Sequence, residues 1–156
     1  MAKRKYIALA AVCVLVLLVM AAGAYLFKPG MTGRKPETVD IVIRKQDGRT
    51  VQLSVKTADT PLQWQKGLMF VKKLDGYDGM LFDFKESRFV NMWMKNTYIP
   101  LDMLFFDSDR RLACIHENAV PHDQTLIGCC KPVTHVLEIS GGRTRALGIA
   151  LGDVLE

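Results

Sequence analysis

No nucleophile signature runs through this sequence. A Gly-x-Ser-x-Gly elbow, a Ser-His-Asp arrangement and a phosphate-binding glycine loop are all missing, which removes the common hydrolase and nucleotide-binding classes. Basic residues form no block in the body of the chain, so there is no nucleic-acid footprint and no nucleic-acid partner is expected. Histidine is scarce, with three in 156 residues, and cysteine occurs four times. None of the paired-cysteine spacings of a structural zinc site is present. The acidic stretches Asp75–Asp78 and Asp107–Asp109 fall short of a twelve-residue calcium loop and read as turns. Internal repeats and low-complexity segments are absent too, and a chain of this length holds one ordinary domain.

What is present begins with an address. Met1 to Tyr6 carries Lys3, Arg4 and Lys5, and an uncharged apolar run of twenty-two residues follows from Tyr6 to Phe27. At ~1.5 Å per residue this is about 33 Å of helix, enough for a hydrocarbon core ~30 Å thick. Ala22-Gly23-Ala24 offers a signal-peptidase pattern, whereas the run's full length favours an uncleaved anchor. Residues 1–27 are therefore expected to be a signal peptide or signal anchor, forming one N-terminal hydrophobic helix. The positive flank stays inside and the remainder is exported to the cell envelope. The membrane is thus one expected partner. Of 21 basic side chains, three belong to this leader, leaving 18 against 16 acidic ones, so the formal charge of +5 overstates how basic the working part is.

Residues 28–37 (KPGMTGRKPE) form a Pro/Gly/Lys-rich tether, and 38–156 a single β domain. Val39, Ile41 and Ile43 alternate with polar residues, as do Val51, Leu53 and Val55, and the Asp47-Gly48 pair between them predicts a hairpin. Thr60 before Pro61 predicts a capped helix of one or two turns ended by Gly67. Strand patterns then cover Met80–Phe84, Arg88–Met94, Leu101–Phe106, Leu112–Glu117 and Val133–Ile139. Gly141-Gly142 breaks the last of these, one helical turn is expected at Arg143–Leu147, and 148–155 returns extended. Short strands at close spacing make the domain mainly β, a compact β-sandwich or partly closed barrel with short helices.

Six segments carry a resemblance: KGLMF (66–70), GMLFDF (79–84), WMKNTYIPLDMLFFD (93–107), HENAVP (116–121), VLEI (136–139) and GIALGD (148–153). Together they closely resemble the bacterial and archaeal family catalogued as domain of unknown function 192. The resemblance implies a jelly-roll-like β fold and, frequently, an N-terminal signal or membrane segment. It implies no particular reaction.

Chemistry concentrates in two places. Lys95 and Asp102 stand inside an otherwise greasy stretch, and Glu138 is alone among Val136, Leu137 and Ile139. On a strand Asp102 shares its face with Leu104 and Phe106, and an unpaired buried carboxylate costs several kcal/mol or changes protonation state. Lys95, Asp102 and Glu138 are accordingly expected to meet, with Trp93, Asn96 and Thr97 around them. Such a cluster is either a structural network or a shallow pocket for a polar envelope ligand such as a glycan, or for an envelope protein. A catalytic version would make it an envelope hydrolase using Asp102 and Glu138 as acid and base. No catalytic residue is assigned.

The second place is Cys114, His116, His122, Cys129, Cys130 and His135. Cys114 and His116 share a strand face, and Met69, Met80, Met92, Met94 and Met103 add thioethers, a set that could serve copper or zinc. Export instead favours oxidation. A disulfide of Cys114 with Cys129 or Cys130 closes a loop of about 15 residues and contributes ~3 kcal/mol in the chain-entropy model. A bond between adjacent Cys129 and Cys130 would be strained. No metal ligand set and no cofactor are assigned. The sequence reading is a non-enzymatic, membrane-tethered or secreted envelope module binding through the Lys95–Asp102 loop.

Overall fold

The computed structural model describes residues 37–156; the expected N-terminal hydrophobic helix in residues 1–27 and nearly all of the tether lie outside the described residues. Among the described residues, no helix is long and apolar enough to cross a membrane. The described residues form nine strands and two short helices: β1 Val39–Arg44, β2 Thr50–Ala58, α1 Pro61–Lys66, β3 Gly79–Arg88, β4 Asn91–Met92, β5 Leu101–Phe106, β6 Leu112–Ala119, β7 Ile127–Gly128, β8 Val133–Ser140, α2 Arg143–Leu147 and β9 Val154–Leu155.

Seven strands form one sheet in the order β6-β5-β8-β3-β2-β1-β9, and β4 pairs with β7 beside it. The β1–β2 hairpin turns at Asp47-Gly48, where Gly48 takes a φ of 85°, the left-handed conformation that glycine adopts freely. Between β2 and β3 the pairing is parallel, so residues 59–78 must cross over rather than turn. The sheet curls until its two edges meet: Val154 bridges to Arg111, and the Leu112 N–H donates to the Asp153 carbonyl at 2.7 Å. Architecture is therefore mainly β, a curled half-barrel of one sheet rather than two stacked sheets.

Both faces of this sheet are apolar. The enclosed face draws on all seven strands, through Ile41, Ile43, Leu53, Val55, Leu81, Leu104, Phe106, Leu112, Leu137, Ile139 and Leu155. The other face carries Phe82, Phe84, Met103, Phe105 and Val136, and is covered by Leu68, Val90, Met92 and Met94. All six residues of β5 are buried as a result, the pattern of a strand packed on both sides.

Helix α1 is fixed at both ends. Thr60 and Gln63 form a capping box, and Gly67 closes the C-terminus, satisfying backbone groups that a six-residue helix would otherwise leave open. Trp64 then ties the helix to the sheet, donating its indole N–H to the carbonyls of Ala58 and Asp83 at 3.0 and 3.2 Å. Leu62, on the same helix, is 79% exposed.

Asp102 lies within β5, on the enclosed face, with no solvent exposure. Its carboxylate accepts three backbone N–H donors: Asn118 at 2.9 Å, Gly142 at 2.9 Å and Thr144 at 2.8 Å. Gly142 is the N-cap of α2 and has no capping side chain of its own. Asp102 thus does that work from a distant strand and binds β5, β6 and α2 together. Burial opposes its ionisation, but these donors outweigh it and hold the carboxyl below the usual carboxylate range. A depressed pKa gives stability that is present above the unfolded value near 3.9 and lost as pH falls through the folded one. Asp102→Ala is expected to cost about 3–5 kcal/mol at pH 7 in urea unfolding, since it leaves one buried and two part-buried N–H donors unpaired. A loss under 1 kcal/mol would show that the donors find other partners.

Candidate functional site

The register across β3, β8 and β5 decides where the second carboxylate goes. Met80 and Met103 pair with Glu138 on either side, whereas Asp102 pairs with Ile139. Paired residues point to the same side and neighbours alternate, so Glu138 and Asp102 occupy opposite faces. The expected convergence of Lys95, Asp102 and Glu138 does not occur. Asp102 needs no cation, because backbone N–H groups meet its charge. Lys95 is exposed and makes no ion pair with a described carboxylate; its Nζ stands 5.2 Å from the Trp93 ring centroid, a cation–π arrangement.

The loop that holds them is built by backbone contacts. Asn96 adopts a φ of 55°, which asparagine tolerates better than most residues, and its carbonyl accepts the Phe70 N–H at 2.8 Å. The His122 N–H reaches the carbonyls of Met94 and Thr97 at 3.1 and 3.2 Å. Thr97 is consequently buried, while Trp93 remains 38% exposed.

Glu138 is only 4% exposed, and its Oε2 has no hydrogen-bond partner among the described residues. It lines a slot of about 20 Å³, space for roughly one water. Trp64, Gly67, Phe82, Met92, Trp93 and Thr97 are among the walls. Gly67 permits this closeness: a Cβ there would lie 3.1 Å from Phe82 and 3.8 Å from Glu138 Oε2. Gly79 is needed too, because a Cβ there would come within 2.0 Å of the Glu138 carbonyl oxygen.

Two wider depressions border the slot across the Lys66–Met69 turn. One, of about 250 Å³, is lined by Leu62, Gln65, Lys66, Met69, Trp93, Lys95 and Asn96. The other, of about 620 Å³, lies on the far side against Lys56, Tyr77 and Met80, within the ~300–1,000 Å³ typical of ligand pockets. Neither depression is lined by Glu138: the larger shares Lys66, Gly67, Leu68 and Met69 with the slot, and the 250 Å³ one shares Gln65, Lys66, Met69 and Trp93. The smaller one carries the exposed Trp93 ring beside Lys95, a stacking face and a donor for a polar ligand.

Burial in apolar surroundings pushes the Glu138 carboxyl up to about 8. It is then largely a neutral acid at pH 7, able to donate one hydrogen bond. The sulfur and histidine cluster divides. Cys114 and Cys129 form a disulfide and Cys130 is free and exposed. As disulfide sulfurs the first two offer no thiolate to a metal. His135 lies 3.7 Å from Asp83, and His122 packs beside Tyr98. Among the described residues the close group in this region is Cys114, Cys129 and Cys130, all within 4.8 Å, without His116.

The family profile described as "Uncharacterized ACR", domain of unknown function 192, matches residues 42–156. This chain belongs to that family. Two solved structures share its fold and sequence. A protein of Sinorhizobium meliloti 1021, described as a candidate transcription regulator, is 47% identical, with a TM-score of 0.74 over 77% of this chain and 93% of that one. A protein of unknown function from Novosphingobium aromaticivorans DSM 12444 is 38% identical, with a TM-score of 0.72 over 76% of this chain and 84% of that one. No curated protein matches.

Glu138 also yields a stability test. Between about pH 4.5 and 8 the folded protein keeps a proton that the unfolded chain has released, so stability falls as pH rises through this window and then levels. Glu138→Gln cannot ionise. It is expected to match the wild type near pH 4 and exceed it by ~2–5 kcal/mol at pH 8.5, taking about 1.4 kcal/mol per pKa unit. Urea unfolding at both pH values measures the gap; an equal gap at both would mean an ordinary carboxyl.

Proposed function

We propose that the domain is a non-enzymatic binding module of the cell envelope, tethered through its N-terminal apolar run. A polar ligand such as a glycan seats on the rim formed by Trp93, Lys95 and Asn96. It places one small hydrogen-bonding group into the slot above Glu138. The observation that carries this reading is Glu138 Oε2, buried without a partner among the described residues, in a side chain that lines the slot together with Trp93 and Thr97. Native proteins seldom leave such an atom unsatisfied, and strongly perturbed carboxyls concentrate at functional sites. An incoming hydroxyl or carbonyl would supply the missing hydrogen bond, while the exposed Trp93 ring offers a flat apolar surface to stack on.

Two further observations support the reading. Hydrolysis by paired carboxylates needs both groups at one substrate bond, roughly 5–10 Å apart on the same site; Asp102 is on the other side of the sheet and tied to three N–H groups. The Cys114–Cys129 disulfide fits an oxidising, extracytoplasmic compartment, which agrees with a leader that anchors or exports the chain.

Thermal-shift screening of the full chain in detergent against glycans and cell-wall fragments tests the proposal. At least one fragment is expected to raise Tm by several degrees, and Trp93→Ala is expected to abolish the shift without lowering the unliganded Tm appreciably. If no fragment shifts the wild type and crosslinking in cells captures no envelope protein at this rim, the reading fails.

A further inference from the structure

The free thiol of Cys130 does not stand apart from the disulfide. Cys114 on β6 and Cys129 just after β7 are half-buried and pack against the core, whereas Cys130 faces solvent. Yet all three sulfurs lie within 4.8 Å of one another. A thiolate this close to a disulfide is positioned for exchange once its side chain rotates, because exchange proceeds by thiolate attack on a disulfide sulfur. Attack on Cys129 would join adjacent residues and strain the backbone. Attack on Cys114 joins no adjacent residues, and its Sγ lies within 4.8 Å of Cys130 Sγ.

We propose that Cys114, Cys129 and Cys130 form a thiol–disulfide exchange site. The Cys130 thiolate attacks Cys114 Sγ, a Cys114–Cys130 bond forms, and the Cys114–Cys129 bond breaks. Cys129 leaves with the bonding electron pair and takes a proton from solvent. The number of disulfides and thiols is unchanged, so no oxidant or reductant is needed. Exchange moves the cross-link from a half-buried sulfur to an exposed one, where thiols of other envelope molecules can reach it. The chemical class this site takes is therefore a thiol. It is independent of the ligand rim.

Non-reducing peptide mapping by mass spectrometry of the exported full chain tests it. In Cys129→Ser, a Cys114–Cys130 link within one chain is expected, with neither of these two cysteines labelled as a thiol; free thiols at both Cys114 and Cys130, or links between chains through either, would overturn the proposal. The wild type gives a second measurement that does not depend on the variant's folding. After incubation at pH 8.5 and acid-quenched alkylation, the label is expected on Cys129 as well as Cys130, faster at higher pH because the thiolate attacks. Label confined to Cys130 after hours would contradict exchange. Cys130→Ser should retain the Cys114–Cys129 link and take no label on Cys129.

Discussion

Strand parity is the constraint on which this structure depends. β5 and β8 run side by side in the middle of a sheet that is apolar on both faces. Any charged residue in either strand must therefore be buried, and its position decides which face receives it. Asp102 falls on the enclosed face, beside the start of α2, where the open N–H groups of a short helix and of Asn118 complete its hydrogen bonding. Glu138 falls on the opposite face, among Met80, Met103 and Phe82, and finds nothing comparable. One carboxylate holds the fold together; the other weakens it at neutral pH and lines a slot that shares Trp93 with a surface depression. The same alternation produces both outcomes.

Much of this was legible beforehand. The β1–β2 hairpin, the Thr60-Pro61 helix start, the Gly67 stop and the bounds of β5 all follow from short-range chemistry, and the structure places them as expected. The parallel β2–β3 pair was not, because nothing local in residues 59–78 tells a crossover from a turn. Strand β7 was also missed: two residues give no alternation to read. The segment Arg88–Met94, expected as one strand, instead splits between the end of β3 and the two-residue β4.

The polar residues show where sequence reasoning stops. That Asp102 would be buried follows from its apolar neighbours, and so does the predicament of Glu138. Pairing them with Lys95 assumed that a buried charge is met by a side chain of opposite sign. Backbone N–H donors are invisible in a sequence, and for Asp102 they do the whole job. The face of Glu138 depends on register, with Met103 rather than Asp102 opposite it, and register is a long-range property. The disulfide was narrowed by compartment and loop length to two pairings, and the structure selects Cys114–Cys129. Membership of the family adds the fold and leaves the chemistry to these side chains.

The central claim is that Glu138 is a buried, unpartnered acid that keeps its proton at neutral pH. Its side-chain carboxyl carbon can be followed by NMR through a pH titration of isotope-labelled protein, with Glu138→Gln assigning the signal. An apparent pKa of about 8 is expected. A midpoint near the ordinary 4.5 would mean that water or an unrecognised partner already satisfies the group, and the slot would lose its claim to be a site.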